Sequence, residues 1–247
     1  MAKKDPESAL LQLTVLDPAC GSGHFLVAAA QRIAQRLAML RSGESEPAPD
    51  VYRHALREVI SRCIFGIDLN PMAVELCKVS LWLESVEPGK PLSFLDHHIV
   101  CGNSLLGCTP KQVAAGIPDE AYKPLGDDDR AVVTSQRRRN SSERSGQGIF
   151  SLWETSDLDN ELAKLMTNID KIRDDDLRSI AEKQARWMSF VDSDQMTRAR
   201  FAADTWCSAF VVLKNRATSE ITTSTVRMAL EHGPSVLEPR AVETIHQ

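Results

Sequence analysis

The sequence predicts an α/β fold, a parallel sheet flanked by helices, with an added helical unit behind it. Three observations carry that expectation. Strand-like and helix-like segments alternate from Leu13 to Cys101. Short apolar runs there end in a polar residue followed by turn residues, and past Phe150 apolar residues recur only at helical spacing. The expected divisions are an α/β core over 1–108, a linker or flexible excursion over 109–150, a helical unit over 151–215 and a tail over 216–247.

Taken in order, Leu13 to Leu16 is a short buried-strand candidate, and it runs through the loop DPACGSG into a helix marked by Phe25, Ala29, Ile33, Leu37 and Leu40. SGESEPAPD, Ser42 to Asp50, breaks that helix. A second helix, Val51 to Arg62, places Ala55, Leu56, Val59 and Ile60 on one side and leads into the strand CIFGIDL. Asn70-Pro71 starts the next helix, because Asn70 can accept from free amides while Pro71 has a suitable φ and no amide to satisfy. Ala73, Leu76, Cys77, Ser80, Leu81 and Glu84 form its small or apolar side, and it ends before Pro88-Gly89. HHIVCGNSL is the third strand, with Ile99 to Cys101 at its centre.

From Thr109 to Phe150 large apolar residues thin out between DDD at 127–129, RRR at 137–139 and SSERSGQG, which reads as a mobile linker or surface excursion. Three helices follow: one through Leu158, Leu162, Leu165, Ile169 and Ile172, one through Leu177, Ile180, Trp187 and Val191, and one through Ala199, Ala203, Trp206, Phe210 and Leu213.

Composition narrows the function classes. A 247-residue chain that is 43% apolar is globular, and its net charge of −5 gives no general attraction to a polyanion. Six cysteines, at 20, 63, 77, 101, 108 and 207, contain no C-x-x-C pair, so reduced thiols of a cytoplasmic protein are expected rather than a zinc site or disulfide framework. The N-terminal MAKKDPESALLQLTVLD is interrupted by Gln12 and Thr14 and lacks a cleavage pattern, so neither a signal peptide nor a membrane span is read.

The first loop carries the chemistry. A strand ending in Asp17 that passes through Pro18, Ala19, Cys20, Gly21 and Gly23 into a helix brings amide N–H groups and a helix N-terminus to the carboxyl edge of a parallel sheet. The Gly-Lys-Ser/Thr ending of a phosphate loop is missing, and Leu26 stands where G-x-G-x-x-G needs its last glycine. A carboxylate at this point would repel a bare pyrophosphate but suits a ligand with an ammonium group and a sulfonium centre, such as S-adenosylmethionine. The second strand ends in Asp68, which could accept both ribose hydroxyls, with Leu69 near an adenine; the third ends in Asn103, whose amide could meet the adenine edge. Each residue also has a structural reading: Asp17 and Asp68 as caps, Asn103 as the stabiliser of its own turn, and the glycines as aids to close packing.

DPACGSGHFL, GIDLNPMAVELCKVSLWLE and IVCGNSLLG resemble the first three motifs of adenine-N6 DNA methyltransferases, in particular large restriction-modification methylases and the phage-defence methylases of the BREX and DISARM kind. ADTWCSAF, Ala203 to Phe210, resembles a segment such proteins carry after the third motif. The resemblance spans Leu13 to Gly107, and more loosely Arg198 to Leu213. It implies a Rossmann-like methyltransferase sheet, here incomplete, with S-adenosylmethionine across its strand tips. Asp17 to Gly23 would embrace the methionine end, Phe25 would support the pocket, Asp68 would hold the ribose and Asn103 would face the adenine where many relatives have Asp.

The sequence departs from that family in one respect that bears on catalysis. The Asn/Asp-Pro-Pro-aromatic tetrapeptide occurs nowhere in it, and Asn70-Pro71-Met72 lacks both the second proline and the aromatic residue. In the family that motif holds the amino group for transfer and replaces the stacking lost by a flipped base. The resemblance therefore implies a fragment, a split subunit or a degenerate copy, with no catalytic residue assigned, DNA reached through other regions or another chain, and defence-system subunits as protein partners. The rival expectation is a non-catalytic interaction module using Trp187, Trp206 and Phe210; methylation of RNA or protein is a third. Arg137 to Arg139 read as a solvated loop rather than a phosphate contact, and His24, His97 and His98 show no metal-ligand set.

Overall fold

The computed structural model describes residues 5–145, 150–236 and 239–246, without the side chains of 150–159, 236, 240, 244 and 246. It divides into two compact units, Met1–Leu105 with Asn168–Trp187, and Leu106–Thr167 with Met188–Gln247.

The first unit opens with α1 (Pro6–Leu11), a short helix not expected from the sequence, whose Asp5 cap accepts from the Glu7 amide. Then follow β1 (Val15–Asp17), α2 (His24–Ser42), α3 (Pro49–Cys63), β2 (Ile64–Asp68), α4 (Pro71–Glu84) and β3 (Ile99–Cys101). The strands form one parallel sheet in the order β1-β2-β3, with Asp17 opposite Gly66 and Asp68 opposite Cys101. Three successive carboxyl ends therefore lie side by side on one edge, as the alternating sequence predicts.

The core packs α2, α3 and α4 together through Leu26, Leu37, Leu56, Ile60, Cys77 and Leu81. Small residues let α2 approach closely: Ala30, Ala34 and Ala38 are fully buried. The buried face of α2 is thus Leu26, Ala30, Ala34, Leu37 and Ala38 rather than the larger residues the periodicity favours, and Phe25 stays 61% exposed. On α3 the expected face, Ala55, Leu56, Val59 and Ile60, is buried as read. On α4 Leu76 turns outward while Val74 and Lys78 turn in; Lys78 reaches Glu75 and Asp96 with its ammonium, so its stem can be buried while its charge is paired.

Across the sheet, Ile64 and Gly66 are buried, whereas the alternate residues Leu16, Phe65 and Ile67 are exposed or half-buried. The segment Asn168–Trp187, which takes in the end of α7 (Phe150–Asp170) and the first part of α8 (Leu177–Val191), belongs to this unit. It is fastened through the buried Arg57, whose guanidinium donates to Asp174 O at 2.7 Å and Pro91 O at 2.6 Å.

The second unit contains α5 (Pro110–Ala115), a 3-10 turn at Asp119–Tyr122 and α6 (Arg130–Ser145), followed after α8 by α9 (Asp194–Val211), α10 (Thr223–His232) and α11 (Pro239–His246). The stretch read as a linker from Thr109 is therefore mostly ordered helix, with residues 146–149 and the side chain of Phe150 outside the described residues. Its few apolar residues are used efficiently: Ile117, Ala121, Tyr122 and Val133 pack with Phe201, Trp206 and Val226. Polar groups complete the packing. Asn140, fully buried, donates to Ile117 O and accepts from the Thr223 amide and hydroxyl, while Tyr122 donates to Ile221 O. The 151–215 stretch carries α7, α8 and α9 but is not a unit of its own, since Asn168–Trp187 belongs to the first unit and the rest to the second; the side chain of Leu158 falls outside the described residues.

Candidate functional site

The turn after β1 is built by the backbone. Asp17 Oδ1 accepts from the Ala19 amide at 3.1 Å, Cys20 N–H donates to Ile67 O at 3.0 Å, and Gly23 N–H donates to Cys20 O at 2.8 Å. Cys20 turns into the core and is 5% exposed, so its thiol is not on the open side of the loop. Gly21, at φ +53°, has nothing within 4 Å of where a Cβ would stand, so this left-handed turn fronts open space. Gly23, at φ +85°, lies against Cys77, and a Cβ there would come within 2.7 Å of its Sγ. No side chain caps the N-terminus of α2, which leaves first-turn amides facing the same edge.

Asp68 joins this turn to the next. Its Oδ2 accepts from the Gly21 amide and its Oδ1 from the Asn70 amide, each at 2.9 Å. The amides of Asn70 and Gly21 hold its carboxyl below the usual carboxylate range. A carboxylate has about four lone-pair sites, so two remain for a ligand diol. Asn70 in turn caps α4, accepting from the Met72 amide at 3.0 Å, as its place before Pro71 predicts.

Gly102 N–H donates to Asp68 O at 2.9 Å, and Asn103 Oδ1 accepts from the Leu105 amide at 3.0 Å, leaving the Asn103 NH2 group for a ligand acceptor. Pro18 and Ala19 follow Asp17 in the first turn, and Leu69 is 70% exposed beside Asp68. The structure thus brings the sequence-predicted residues to one sheet edge, with the Cys20 side chain turned away. Cys20 and Cys77 are buried together, and burial pushes the Cys77 thiol up to about 12, so this pair is inert packing rather than a nucleophile.

Comparison with known proteins bears on what such an edge holds. Residues 4–92 match the family described as MmeI, DNA-methyltransferase domain. That span contains the Asp17–Gly23 turn, Asp68 and all of α4, and ends before β3. A protein named as a type II restriction enzyme and methyltransferase of Methanocaldococcus jannaschii is 33% identical over 108 residues, 39% of this chain and 9% of that protein. The adenine-specific methyltransferase PglX of Streptomyces coelicolor is 30% identical over 103 residues, 38% of this chain and 8% of that protein. The chain therefore spans less than a tenth of the length of these curated relatives. No solved structure matches it. The resemblance read from the motifs is met by these similarities over part of the chain: the family match holds the first two motifs, within the α/β unit, and does not reach the third motif or Ala203 to Phe210.

Three further groups meet where the sequence showed no set. His97 and His98, before β3, lie with Asp170 at the end of α7, and their ligand atoms are all within 4.8 Å of one another. The pair was visible in the sequence, but its carboxylate is remote along the chain. His24 stays apart and shares a 2.9 Å contact with Ser22 Oγ. Arg137 and Arg139 lie on α6 rather than in a loop, and are engaged by Asp119 and by Glu143 and Glu220. Trp206 is a core residue, donating to Gly116 O at 3.0 Å. Among the described residues no helix is long and apolar enough to cross a membrane.

Proposed function

We propose that the α/β unit is the S-adenosylmethionine-binding part of an adenine-N6 DNA methyltransferase of restriction-modification or phage-defence type, and that these 247 residues alone do not methylate DNA. One observation carries the reading: the turn after β1 is hydrogen-bonded through Gly21 to Asp68, whose remaining lone pairs stay available at the open edge.

The residues fit such a ligand by their own chemistry. The uncapped start of α2 and the Gly21 turn suit a carboxylate, Asp17 an ammonium group, Asp68 a ribose diol and the Asn103 NH2 a ring nitrogen. Phe25 and Leu69 present exposed apolar surface. When bound, S-adenosylmethionine supplies a methyl group on a sulfonium centre; this chain's residues hold and orient it. Presenting an adenine amino group needs acceptors and an aromatic platform that no Asn/Asp-Pro-Pro-aromatic tetrapeptide of this sequence provides. DNA and any protein partner of a defence system are therefore engaged by other regions or another chain, in a cytoplasmic setting.

Calorimetric titration with S-adenosylmethionine and its demethylated product tests the binding claim. Saturable heat that Asp68→Asn reduces by at least about tenfold, without a matching loss of folding, is the expected result. No heat from folded protein would refute it and favour a non-catalytic interaction module. Tritiated methyl transfer to DNA, RNA and protein, with and without candidate partner chains, tests the second claim; efficient DNA methylation by this chain alone would overturn it.

A further inference from the structure

We infer that His97, His98 and Asp170 form a binding site for a divalent transition cation of the zinc type, with two imidazoles and one carboxylate as ligands and the remaining position open to solvent. The site lies within the first unit and does not depend on the proposed methyltransferase role.

The argument begins with His97. It is 7% exposed, and both ring nitrogens are buried without a hydrogen-bond partner. Buried polar atoms are nearly always paired, so an orphaned imidazole marks a place where a partner is expected. Its Nδ1 has no partner, and its Nε2 has only Asp170 Oδ1 at 3.4 Å, an ion-pair contact that holds the Asp170 carboxyl below the usual carboxylate range without the geometry of a full hydrogen bond. Two ligands on a tetrahedral zinc with bonds of about 2.0–2.1 Å are about 3.3–3.4 Å apart. The direct ion pair is thus already at the separation that two groups sharing an ion would keep, and the ligand atoms of all three residues lie within 4.8 Å of one another.

His98 is prepared in the way a ligand needs. Its Nδ1 lies 2.9 Å from Ile64 O, and since a carbonyl only accepts, Nδ1 carries the proton and Nε2 the lone pair. Metal-bound histidines commonly donate their second nitrogen to a backbone carbonyl in this manner. Phe65 stacks on His98 at 4.1 Å between centroids and Phe94 on His97 at 5.3 Å, which fixes both rings. The Asp170 side chain is 52% exposed and leaves a route for an ion and water. The nearby Lys183 ammonium, which would oppose a cation, is paired with the buried Asp174 carboxylate at 3.2 Å, a group outside the triad. Two imidazoles with one carboxylate favour zinc and its neighbours over magnesium or calcium, which prefer all-oxygen sets. An ion here would pin Asn168–Trp187 to the loop that feeds β3.

The full chain, stripped with chelator, is titrated with Zn2+ by calorimetry and with Co2+ by absorption. The expected result is one saturable equivalent whose Co2+ spectrum lacks a thiolate charge-transfer band, together with a Zn2+-dependent rise in melting temperature. Asp170→Asn and His97→Gln should each weaken binding by at least about tenfold. Asp170→Asn, at a half-exposed position, should still fold and, measured against its own metal-free melting temperature, should lose the Zn2+-dependent rise. Failure of folded wild type to bind, equal binding by both variants, or an equivalent held by thiolate would overturn the site.

Discussion

Gly23→Ala probes the joint between the ligand turn and the helix behind it. Two costs combine at this position. Gly23 has φ +85°, and an L-residue in left-handed backbone costs about 1–2 kcal/mol. The new Cβ would also stand 2.7 Å from Cys77 Sγ and 3.4 Å from Cys77 Cα, an overlap with the fully buried face of α4. Overpacking of this kind costs about 1–3 kcal/mol, so a total of about 2–5 kcal/mol is expected, against a typical domain stability of about 5–15 kcal/mol. Urea unfolding followed by far-ultraviolet circular dichroism and tryptophan fluorescence measures it, with Trp82 reporting on the first unit. The loss should appear as a lower midpoint at unchanged slope. The double variant Gly23→Ala/Cys77→Ala separates the causes. Removing the sulfur relieves the overlap but not the backbone strain, so the double variant should be more stable than the sum of the single changes by about 1–3 kcal/mol. A Gly23→Ala midpoint indistinguishable from wild type, or strict additivity, would refute the reasoning.

Three other outcomes follow from particular contacts. Arg57→Met removes the buried donors to Pro91 O and Asp174 O, and should destabilise the first unit by about 1–3 kcal/mol for each carbonyl left unpaired, with faster proteolysis between Asn168 and Trp187 as the local sign. Asn140→Leu should strip partners from Ile117 O and Thr223 and destabilise the second unit on the same scale, seen as early loss of the near-ultraviolet signal of Trp206. Alkylation of native protein should label Cys101 first, because it is exposed, and leave Cys77 unlabelled through pH 9, since its thiol is pushed up to about 12 by burial. Mass spectrometry of timed samples reads the order, and rapid modification of Cys77 would contradict the packing described for the turn.

The parts legible in the sequence were those fixed by local chemistry. Asn70-Pro71 announced a helix start, Ile64–Asp68 and Ile99–Cys101 stood out as short apolar runs, and polar residues at the strand ends placed the candidate edge. What escaped depends on distant partners. Val133 and Asn140 sit in a polar stretch that looks like a linker until Thr223 and Ile117 supply their surroundings. The spacing of Phe25, Ala29, Ile33, Leu37 and Leu40 marks α2 as a helix, but of these only Leu37 lies on its fully buried face, because close helix packing selects Ala30, Ala34 and Ala38, which periodicity weighs little. Cys20 followed the same logic: its position in the loop is local, but the inward turn of its side chain is set by the packing around Gly66 and Cys77. His97 and His98 were adjacent from the start, and only the fold added Asp170.

The carboxylate of Asp68 grips the amide of Gly21 with one oxygen and that of Asn70 with the other. A single side chain thereby sets the gap between two separate bends of the main chain. A position with two such duties has little room for evolutionary drift: Glu, one methylene longer, would spread the bends apart, and Asn would offer an NH2 where an acceptor is needed. Ageing chemistry meets the same barrier, since isomerisation of Asp68 would reroute the backbone at the very point where both bends are measured from.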